Sequence, residues 1–194
     1  DEVYVCTDSE EIANVVHLHG GKSIITKSEH TNGTERIAEA AESLEADLFV
    51  NIQGDEPLVD PNHIARVIKE HANHPEWDII VPSLPIARPE DPHIVKIVHD
   101  VNYRIIFLSR SVIPQPFNHR PGFFLKHLSV ISFKPEALQR YASLKPSPLQ
   151  ISESVELLRA LENGMVLGTV LLDGDSISVD IKEDYVRAKV LMMS

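Results

Sequence analysis

The sequence has one cysteine, Cys6, among its 194 residues, so no disulfide can form within the chain. Positive charge is also scarce, because 18 Lys and Arg face 29 Asp and Glu and give a net charge of −11. This balance argues against a nucleic-acid partner, which needs clustered cations. No hydrophobic run approaches the roughly 20 residues that span a bilayer. Together these absences predict a cytoplasmic protein without membrane insertion.

Three kinds of site are missing as well. Cys6 and the ten histidines show no spacing typical of a zinc site. No serine stands in a nucleophile elbow, and no glycine-rich segment matches the dinucleotide-binding pattern. The sequence therefore indicates neither zinc chemistry nor serine-based hydrolysis nor a dinucleotide cofactor. We interpret Cys6 as a core residue of its strand.

Apolar segments in the first half of the chain alternate between strand and helix. Residues 48–52 form a strand without polar alternation, which is typical of a strand covered on both faces. Residues 37–44 repeat apolar side chains at helical spacing. This order predicts an α/β fold with a parallel sheet covered by helices, and a single domain over 1–194.

The second half has a different pattern. Strand-like runs follow one another with little helix between them, which predicts added antiparallel strands. These runs are 94–98, 105–109 and 124–133. A helix is then predicted from about 152 to 162, and it would place Glu153 and Glu156 on one face. Glu156 and Arg159 could equally form a surface ion pair.

The first candidate site is the segment 51–57, which follows a predicted parallel strand. Open α/β sheets bind ligands at the carboxyl ends of their strands. Gln53 and Asp55 flank a glycine that lets a ligand approach the backbone, and the Asp55 carboxylate suits Mg²⁺. An ordinary turn would explain the same residues, because Gly-Asp and Glu-Pro are common in turns.

A second carboxylate, Asp180, precedes the final predicted helix, which is expected over 182–193. It could hold the same cation as Asp55, or it could serve only as a helix N-cap. The segment 30–36 opens another helix, where backbone amides and Arg36 favour an anion. A turn with capping residues is the alternative there. The remaining polar candidates are Lys96, Arg110, Lys126, His127, Glu153, Glu156 and Arg159.

Several segments together resemble the CMP-Kdo synthetases, the cytidylyltransferases of 3-deoxy-manno-octulosonate (Kdo). The most specific are NGTERIAE at 32–39 and NIQGDEPL at 51–58. The others are 95–98, 107–114, 126–128, 147–164 and 179–184. These segments follow the order of the family along nearly the whole chain.

The resemblance implies a three-layer, Rossmann-like nucleotidyltransferase fold with a mostly parallel central sheet and added antiparallel strands, usually in a homodimer. It implies that the anomeric hydroxyl of the sugar acid attacks the α-phosphate of CTP and releases pyrophosphate, which activates the sugar for lipopolysaccharide synthesis. Asp55 and Asp180 are then the catalytic carboxylates that hold Mg²⁺. The residues implied near the nucleotide are Asn32, Gly33, Arg36 and Gln53. Those implied near the sugar acid are Gln53, Arg110, His127, Glu153 and Glu156, with Arg110 meeting the substrate carboxylate.

Four positions depart from the family pattern. Asn32 stands where the family has serine, Ile131 where it has tyrosine, Leu157 where it has glutamine, and Gln150 where glutamate is frequent. Most of these positions are on the sugar side, so 8-amino-Kdo or a sialic-acid-like substrate is an alternative. A catalytically silent binding protein is another alternative, and a phosphatase built on Asp55 and Asp180 is a third.

The family pattern also begins with a strand and a triphosphate-binding loop that have no match in this sequence. The strand at 3–6 corresponds to the second strand of the family. The absent strand would lie between the strands at 3–6 and 48–52, whose backbone groups would otherwise be unpaired at about 1–3 kcal/mol each. We therefore expect the sequence to be a fragment that lacks this strand and loop.

Overall fold

The computed structural model describes residues 1–174, 176–179 and 181–193. The strands are β1 (Tyr4–Thr7), β2 (Lys22–Ile25), β3 (Phe49–Ile52), β4 (Ile79–Ile80), β5 (Ser83–Ile86), β6 (Lys96–His99), β7 (Ile105–Ser109), β8 (Phe124–His127), β9 (Val130–Phe133) and β10 (Leu167–Gly168). The helices are α1 (Glu10–Leu18), α2 (Gly33–Ala41), α3 (Pro61–Asn73), α4 (Pro135–Ser143), α5 (Pro148–Glu153), α6 (Leu158–Glu162) and α7 (Lys182–Met192). Within the described ranges, no helix has the length and apolar character needed to cross a bilayer.

The central sheet has the strand order β10-β4-β9-β3. β4 and β10 pair in parallel, and β9 lies antiparallel between β4 and β3. β10, β4 and β3 therefore run in the same direction, with one reversed strand among them. This arrangement confirms a mostly parallel central sheet with an added antiparallel strand.

A second sheet, with the order β5-β8-β6-β7, is antiparallel throughout. The run predicted at 124–133 is in fact two strands that belong to different sheets. β8 pairs with β5 and β6, whereas β9 pairs with β3 and β4. The chain crosses between the sheets at residues 128–129, and this crossing places Ser129 beside the carboxyl end of β3.

Helices cover both faces of the central sheet. Ile79 and Ile80 are consecutive in β4, and their side chains point to opposite faces. Ile79 packs in a core cluster with residues of α2, α4 and α6, whereas Ile80 packs in a cluster with Val67 of α3. The structure thus has three layers, as the resemblance implied.

β1 and β2 form a separate parallel pair. α2 contacts both β1 and β3, although these two strands do not pair with each other. Among the described residues, neither strand has a ladder partner on its other edge.

The helix predicted at 152–162 is wrong as a single element. α5 ends at Glu153 and α6 begins at Leu158. Between them Ser154 adopts a left-handed conformation with φ of 51°, which no α-helix accommodates. Glu153 and Glu156 therefore do not share a helix face. The predicted final helix is confirmed by α7.

Candidate functional site

The loop 53–56 follows β3 at its carboxyl end and presents Asp55. The backbone N–H of Gln53 donates to the carbonyl of Ser129 (3.3 Å), and that of Glu56 donates to the carbonyl of Gln53 (3.1 Å). The first bond fixes the loop to the segment that joins β8 and β9, and the second closes a tight turn. Asp55 is thus held at a sheet edge where ligands bind.

Residues 176–179 lie against this loop. The backbone N–H of Val179 donates to the carbonyl of Asp55 at 2.8 Å, and the Ser178 hydroxyl donates to Glu56 Oε1 at 2.5 Å. Lys126 Nζ donates to the carbonyl of Ser176 at 3.1 Å. The chain therefore reaches Asp55 one residue before Asp180, which itself lies outside the described residues.

The donors at this edge fit a hard divalent cation. Within the described parts of the chain, no group of three or more His, Cys, Asp or Glu side chains could enclose a metal ion. Mg²⁺ does not need such a cage, since it usually takes one or two carboxylates and completes its shell with water and substrate phosphates. Asp55 supplies one such carboxylate.

The start of α2 is the second part of the site. Asn32 is the N-cap, and its Oδ1 accepts the backbone N–H of Glu35 at 2.9 Å. Serine is an equally good N-cap, so Asn32 does the capping that the family pattern assigns to serine. A Cβ on Gly33 would lie 3.9 Å from Asn51 Nδ2, which places the first turn of α2 beside β3.

Arg36 anchors α2 to the carboxyl ends of β1 and β2. Its Nη1 donates to Thr26 Oγ1 (2.6 Å) and to the carbonyl of Lys27 (3.2 Å), and its Nη2 pairs with Asp8 (3.4 Å). The guanidinium predicted to face the nucleotide thus also holds three chain segments together.

Arg110, predicted on the sugar side, is fixed by backbone carbonyls. Its three guanidinium nitrogens donate to the carbonyls of Pro92, His93, Glu153 and Ser154 at 2.9–3.2 Å. Among the described residues, no carboxylate side chain forms an ion pair with this guanidinium. Its positive charge is therefore held in place without a counter-anion, as a site for a substrate carboxylate requires.

Glu153 braces the same region. One oxygen accepts the Ser109 hydroxyl at 2.7 Å, and the other accepts the backbone N–H of Arg110 at 2.9 Å. Lys96 adds a further brace, because its Nζ donates to the carbonyls of Asp91, Ile94 and Arg110. Glu153 and Lys96 thus set the position of Arg110.

Several buried polar atoms have no hydrogen-bond partner among the described residues. They include Asn51 Nδ2 and His127 Nε2, whereas the buried Glu156 carboxylate lies against Thr34. Buried polar groups in native proteins are nearly always paired. The unpaired atoms on β3 and β8 are therefore typical of a site that a polar ligand completes.

Burial controls the protonation of two of these groups. Burial, helped by the charge of Arg110, lowers the pKa of His127 to about 4, so this imidazole is neutral at pH 7. Burial raises the pKa of Glu156, although Thr34 and Arg159 oppose the shift. Burial therefore disfavours the charged form of both side chains.

Sequence reasoning missed the partner of Arg159. Arg159 is 1% exposed, and its Nη1 donates to Glu35 Oε1 at 2.7 Å, so the alternative of a surface ion pair between Glu156 and Arg159 is wrong. Glu35 is 124 residues away, and no local pattern connects such distant positions. The only available signal is that Glu35 and Arg159 both fall within segments that carry the family resemblance.

The two apolar departures on the sugar side lie in the core. Ile131 is fully buried and opposes Asn51 in the β3–β9 ladder, and Leu157 is 1% exposed. Both side chains pack in the cluster that joins the central sheet to α2 and α4. These positions therefore add apolar surface where the family pattern has polar groups.

Comparisons with known proteins agree with this geometry. A family model described as cytidylyltransferase matches residues 1–172. The chain is 42% identical to the 3-deoxy-manno-octulosonate cytidylyltransferase of Chlorobium limicola over 94% of this chain and 76% of that protein. It is 38% identical to the enzyme of the same name from Rickettsia felis over 97% of this chain and 77% of that protein.

Solved structures give the same result. The structure of a CMP:2-keto-3-deoxy-manno-octonic acid synthetase complexed with CTP superposes with a TM-score of 0.94 and 30% identity, over all of this chain and 81% of that one. The inositol-1-phosphate CTP transferase of T. maritima matches with a TM-score of 0.65 at 17% identity, over 99% of this chain and 75% of that one. The second likeness concerns the fold alone, and together they identify a nucleotidyltransferase fold.

Proposed function

This chain belongs to the cytidylyltransferase family, and from that premise we propose that it transfers CMP from CTP to the anomeric hydroxyl of Kdo. Pyrophosphate is the second product. The observation that carries the proposal is the sustained identity to Kdo cytidylyltransferases, 42% over 94% of the chain. The Asp55 loop, the first turn of α2 and the unpaired polar atoms lie on the segments that share this identity.

The proposed reaction is an in-line displacement at the α-phosphate of CTP. The anomeric oxygen of the sugar acid forms a bond to phosphorus, the bond to the β-phosphate oxygen breaks, and the hydroxyl proton leaves to solvent or a nearby base. Such phosphoryl transfers depend mainly on positioning and on electrostatic stabilisation of the phosphate oxygens. The protein therefore needs fixed groups more than a nucleophile of its own.

Asp55 is the proposed carboxylate for Mg²⁺, with Asp180 as the second ligand that the resemblance implies. When bound, the ion would neutralise developing charge on the transferring phosphate. The backbone bond from Val179 to Asp55 (2.8 Å) keeps the two ligand-bearing segments together. The amides in the first turn of α2 face the same edge and favour the negative nucleotide.

The sugar acid is proposed to bind between Arg110, His127 and Glu156. The Arg110 guanidinium, already held by backbone carbonyls, would attract the substrate carboxylate. Neutral His127 would hydrogen-bond a sugar hydroxyl through its unpaired Nε2, and the buried Glu156 carboxyl would accept from or donate to another. Glu153 would act by holding Arg110.

A related sugar acid, such as 8-amino-Kdo, is the second candidate substrate. Ile131 and Leu157 favour it, because both are buried and apolar where the family pattern has hydroxyl and amide groups. A site that lacks those partners would discriminate less among the hydroxyls of the sugar.

Pyrophosphate release tests the proposal. The protein is incubated with CTP and Mg²⁺, and then with Kdo, 8-amino-Kdo or sialic acid in separate reactions. We expect release with Kdo or 8-amino-Kdo and only background without a sugar acid. CTP binding by calorimetry without release in any reaction would instead identify a silent binding protein.

Two further parts of the proposal concern the whole domain. We propose that β1 and β3 belong to one sheet that a further strand completes, because α2 packs on both strands and each has an edge without a ladder partner among the described residues. Slow amide exchange along both edges in the protein would support this.

The homodimer and the cytoplasmic location stay predictions, and light scattering tests the first.

A further inference from the structure

A buried charged network links α6 to the segment that opens α2. Arg159 lies at its centre and is 1% exposed. Its Nε donates to Gln150 Oε1 at 2.8 Å, and its Nη1 donates to Glu35 Oε1 at 2.7 Å and to the carbonyl of Leu144 at 3.2 Å. The guanidinium also lies over the Tyr141 ring, 4.9 Å from its centroid. These contacts fix both the position and the plane of the guanidinium.

Glu35 links the fixed guanidinium of Arg159 to the loop before α2. Its Oε1 accepts from Arg159, while its Oε2 accepts the backbone N–H and the hydroxyl of Thr31, each at 2.9 Å. Burial alone would raise the pKa of Glu35, but the bonds from Thr31 and Arg159 outweigh it and lower the pKa. Glu35 is therefore a carboxylate with both oxygens occupied, and it connects Arg159 to Thr31.

The loop held in this way contains the residues proposed to meet the nucleotide. Thr31 precedes Asn32 and Gly33, and Asn32 caps α2 through the backbone N–H of Glu35. Without Glu35 in place, both bonds to Thr31 are lost, and among the described residues the loop keeps only the weaker hold of the His30–Glu39 pair and the bond from Asn32 Nδ2 to Thr31 Oγ1. Arg159 reaches the first turn of α2 through Glu35, and its charge also acts on Glu156.

We propose that Arg159 is a positioning residue, which acts through Glu35 to hold residues 31–34 in the conformation that receives the nucleotide. The inference rests on the function proposed above, because that function assigns the nucleotide to the first turn of α2. Arg159 and Glu35 contact each other and are not proposed to contact the substrate. A buried ion pair of this kind often adds little net stability. We therefore expect it to serve mainly to fix the conformation of residues 31–34.

The test compares Arg159→Met with Leu158→Ala. Leu158 is the neighbouring residue in α6, is fully buried and packs in the apolar core, so its truncation disturbs the same helix without touching Glu35. The measurements are the melting temperature, the KM for CTP, the KM for Kdo and the exchange rate of the Thr31 amide by NMR. Arg159→Lys tests whether a positive charge without the planar guanidinium group is enough to hold Glu35.

Both variants are expected to melt at lower temperature. Only Arg159→Met should raise the KM for CTP, on the order of tenfold, and accelerate exchange of the Thr31 amide, with a smaller rise in the KM for Kdo through the lost charge beside Glu156. Arg159→Lys should recover part of both effects, since an ammonium can still pair with Glu35. Glu35→Gln combined with Arg159→Met should be no worse than Arg159→Met alone.

Equal KM values and equal Thr31 exchange in Arg159→Met and Leu158→Ala would overturn the inference and leave Arg159 with a purely structural role. If the wild-type protein binds CTP but does not turn over any sugar acid, only the proposed function fails, and the dissociation constant of CTP replaces KM as the readout. If it binds no CTP, the nucleotide part of the inference is overturned together with the proposed function.

Discussion

Asp55 and Asp60 are close in the sequence but differ in their roles. Asp60 is the N-cap of α3, and its Oδ1 accepts the backbone N–H of Asn62 at 2.8 Å. Asp55 lies at the sheet edge where we propose that the ligand binds, held through its backbone carbonyl by Val179. The first carboxylate stabilises a helix, and the second is proposed to hold the cation.

Asp55→Asn tests this difference. The amide is a poor ligand for Mg²⁺, so pyrophosphate release from CTP and Kdo should fall by about 10²-fold or more. Asp60→Asn is the matched control, because asparagine caps a helix as well as aspartate does. Its activity and melting temperature should stay close to those of the wild type. Equal activity in the two variants would contradict a catalytic role for Asp55.

His127 makes stability depend on pH. Its pKa is about 4 in the folded protein because of burial and the charge of Arg110, whereas an unfolded histidine titrates near pH 6.5. The unfolded state therefore binds more protons between these values, and stability is lost as pH falls through this window. We expect the free energy of unfolding to drop by about 2 kcal/mol between pH 7 and pH 5 from this residue.

Urea denaturation at pH 7, 6 and 5 measures the effect. His127→Asn should flatten the pH dependence, whereas replacement of the exposed His119 by asparagine should leave it unchanged. His71 adds in the same direction, because burial also lowers its pKa. A pH slope that is the same in wild type and His127→Asn would show that the folded imidazole titrates normally.

The elements depend on close contacts that no periodicity reveals. β10 passes Trp77 so closely that a Cβ on Gly168 would lie 2.0 Å from the indole ring. The ring is 5% exposed and stacks on His74 at 3.9 Å between centroids, so it has no room to move. A glycine at this position lets β10 join β4 at the edge of the central sheet.

Gly168→Ala should therefore destabilise the protein by about 1–3 kcal/mol through overpacking. Gly122→Ala is the control, because an added Cβ there meets nothing within 4 Å. Thermal unfolding of both variants measures the difference. Equal melting temperatures would mean that β10 can shift away from Trp77 at little cost.

The α5–α6 turn shows the limit of helical patterns. The residues of 152–162 have the apolar spacing of one helix, yet the left-handed Ser154 (φ 51°) divides it. The carbonyl of Ser154 then accepts Arg110 Nη2 at 3.2 Å. The break is decided by contacts with a distant loop and not by the local sequence, which contains neither glycine nor proline at that point.

At the scale of the whole molecule, the candidate site contains residues from both sheets and from one layer of helices. The Asp55 loop extends from the central sheet, His127 belongs to the second sheet, and Glu156 lies between helices of one covering layer. A ligand that contacts all three should therefore stabilise the entire fold and not one element.

CTP with Mg²⁺ should raise the free energy of unfolding by about 2.7 kcal/mol at 100 times its dissociation constant. EDTA should remove most of this gain, because the triphosphate would lose the cation that Asp55 shares with it. A thermal-shift assay with CTP, with GTP and with EDTA measures both effects. Equal stabilisation by GTP would contradict selective binding of the cytosine nucleotide.

The fold class, the family and the segments that match the family pattern could all be read from the sequence alone. Strand and helix alternation depends on local side-chain spacing, and the Asp55 loop and the capped start of α2 are local motifs, so both were visible in the chain. The order of the family segments then implied the reaction and its two substrates.

The tertiary structure alone decided which of these segments meet. Only the fold shows that Val179 reaches Asp55, that β8 and β9 belong to different sheets and that Arg159 pairs with Glu35. The physical reason is that buried polar groups must find partners wherever packing places them. Those partners lie far apart in the chain, where no spacing rule connects them.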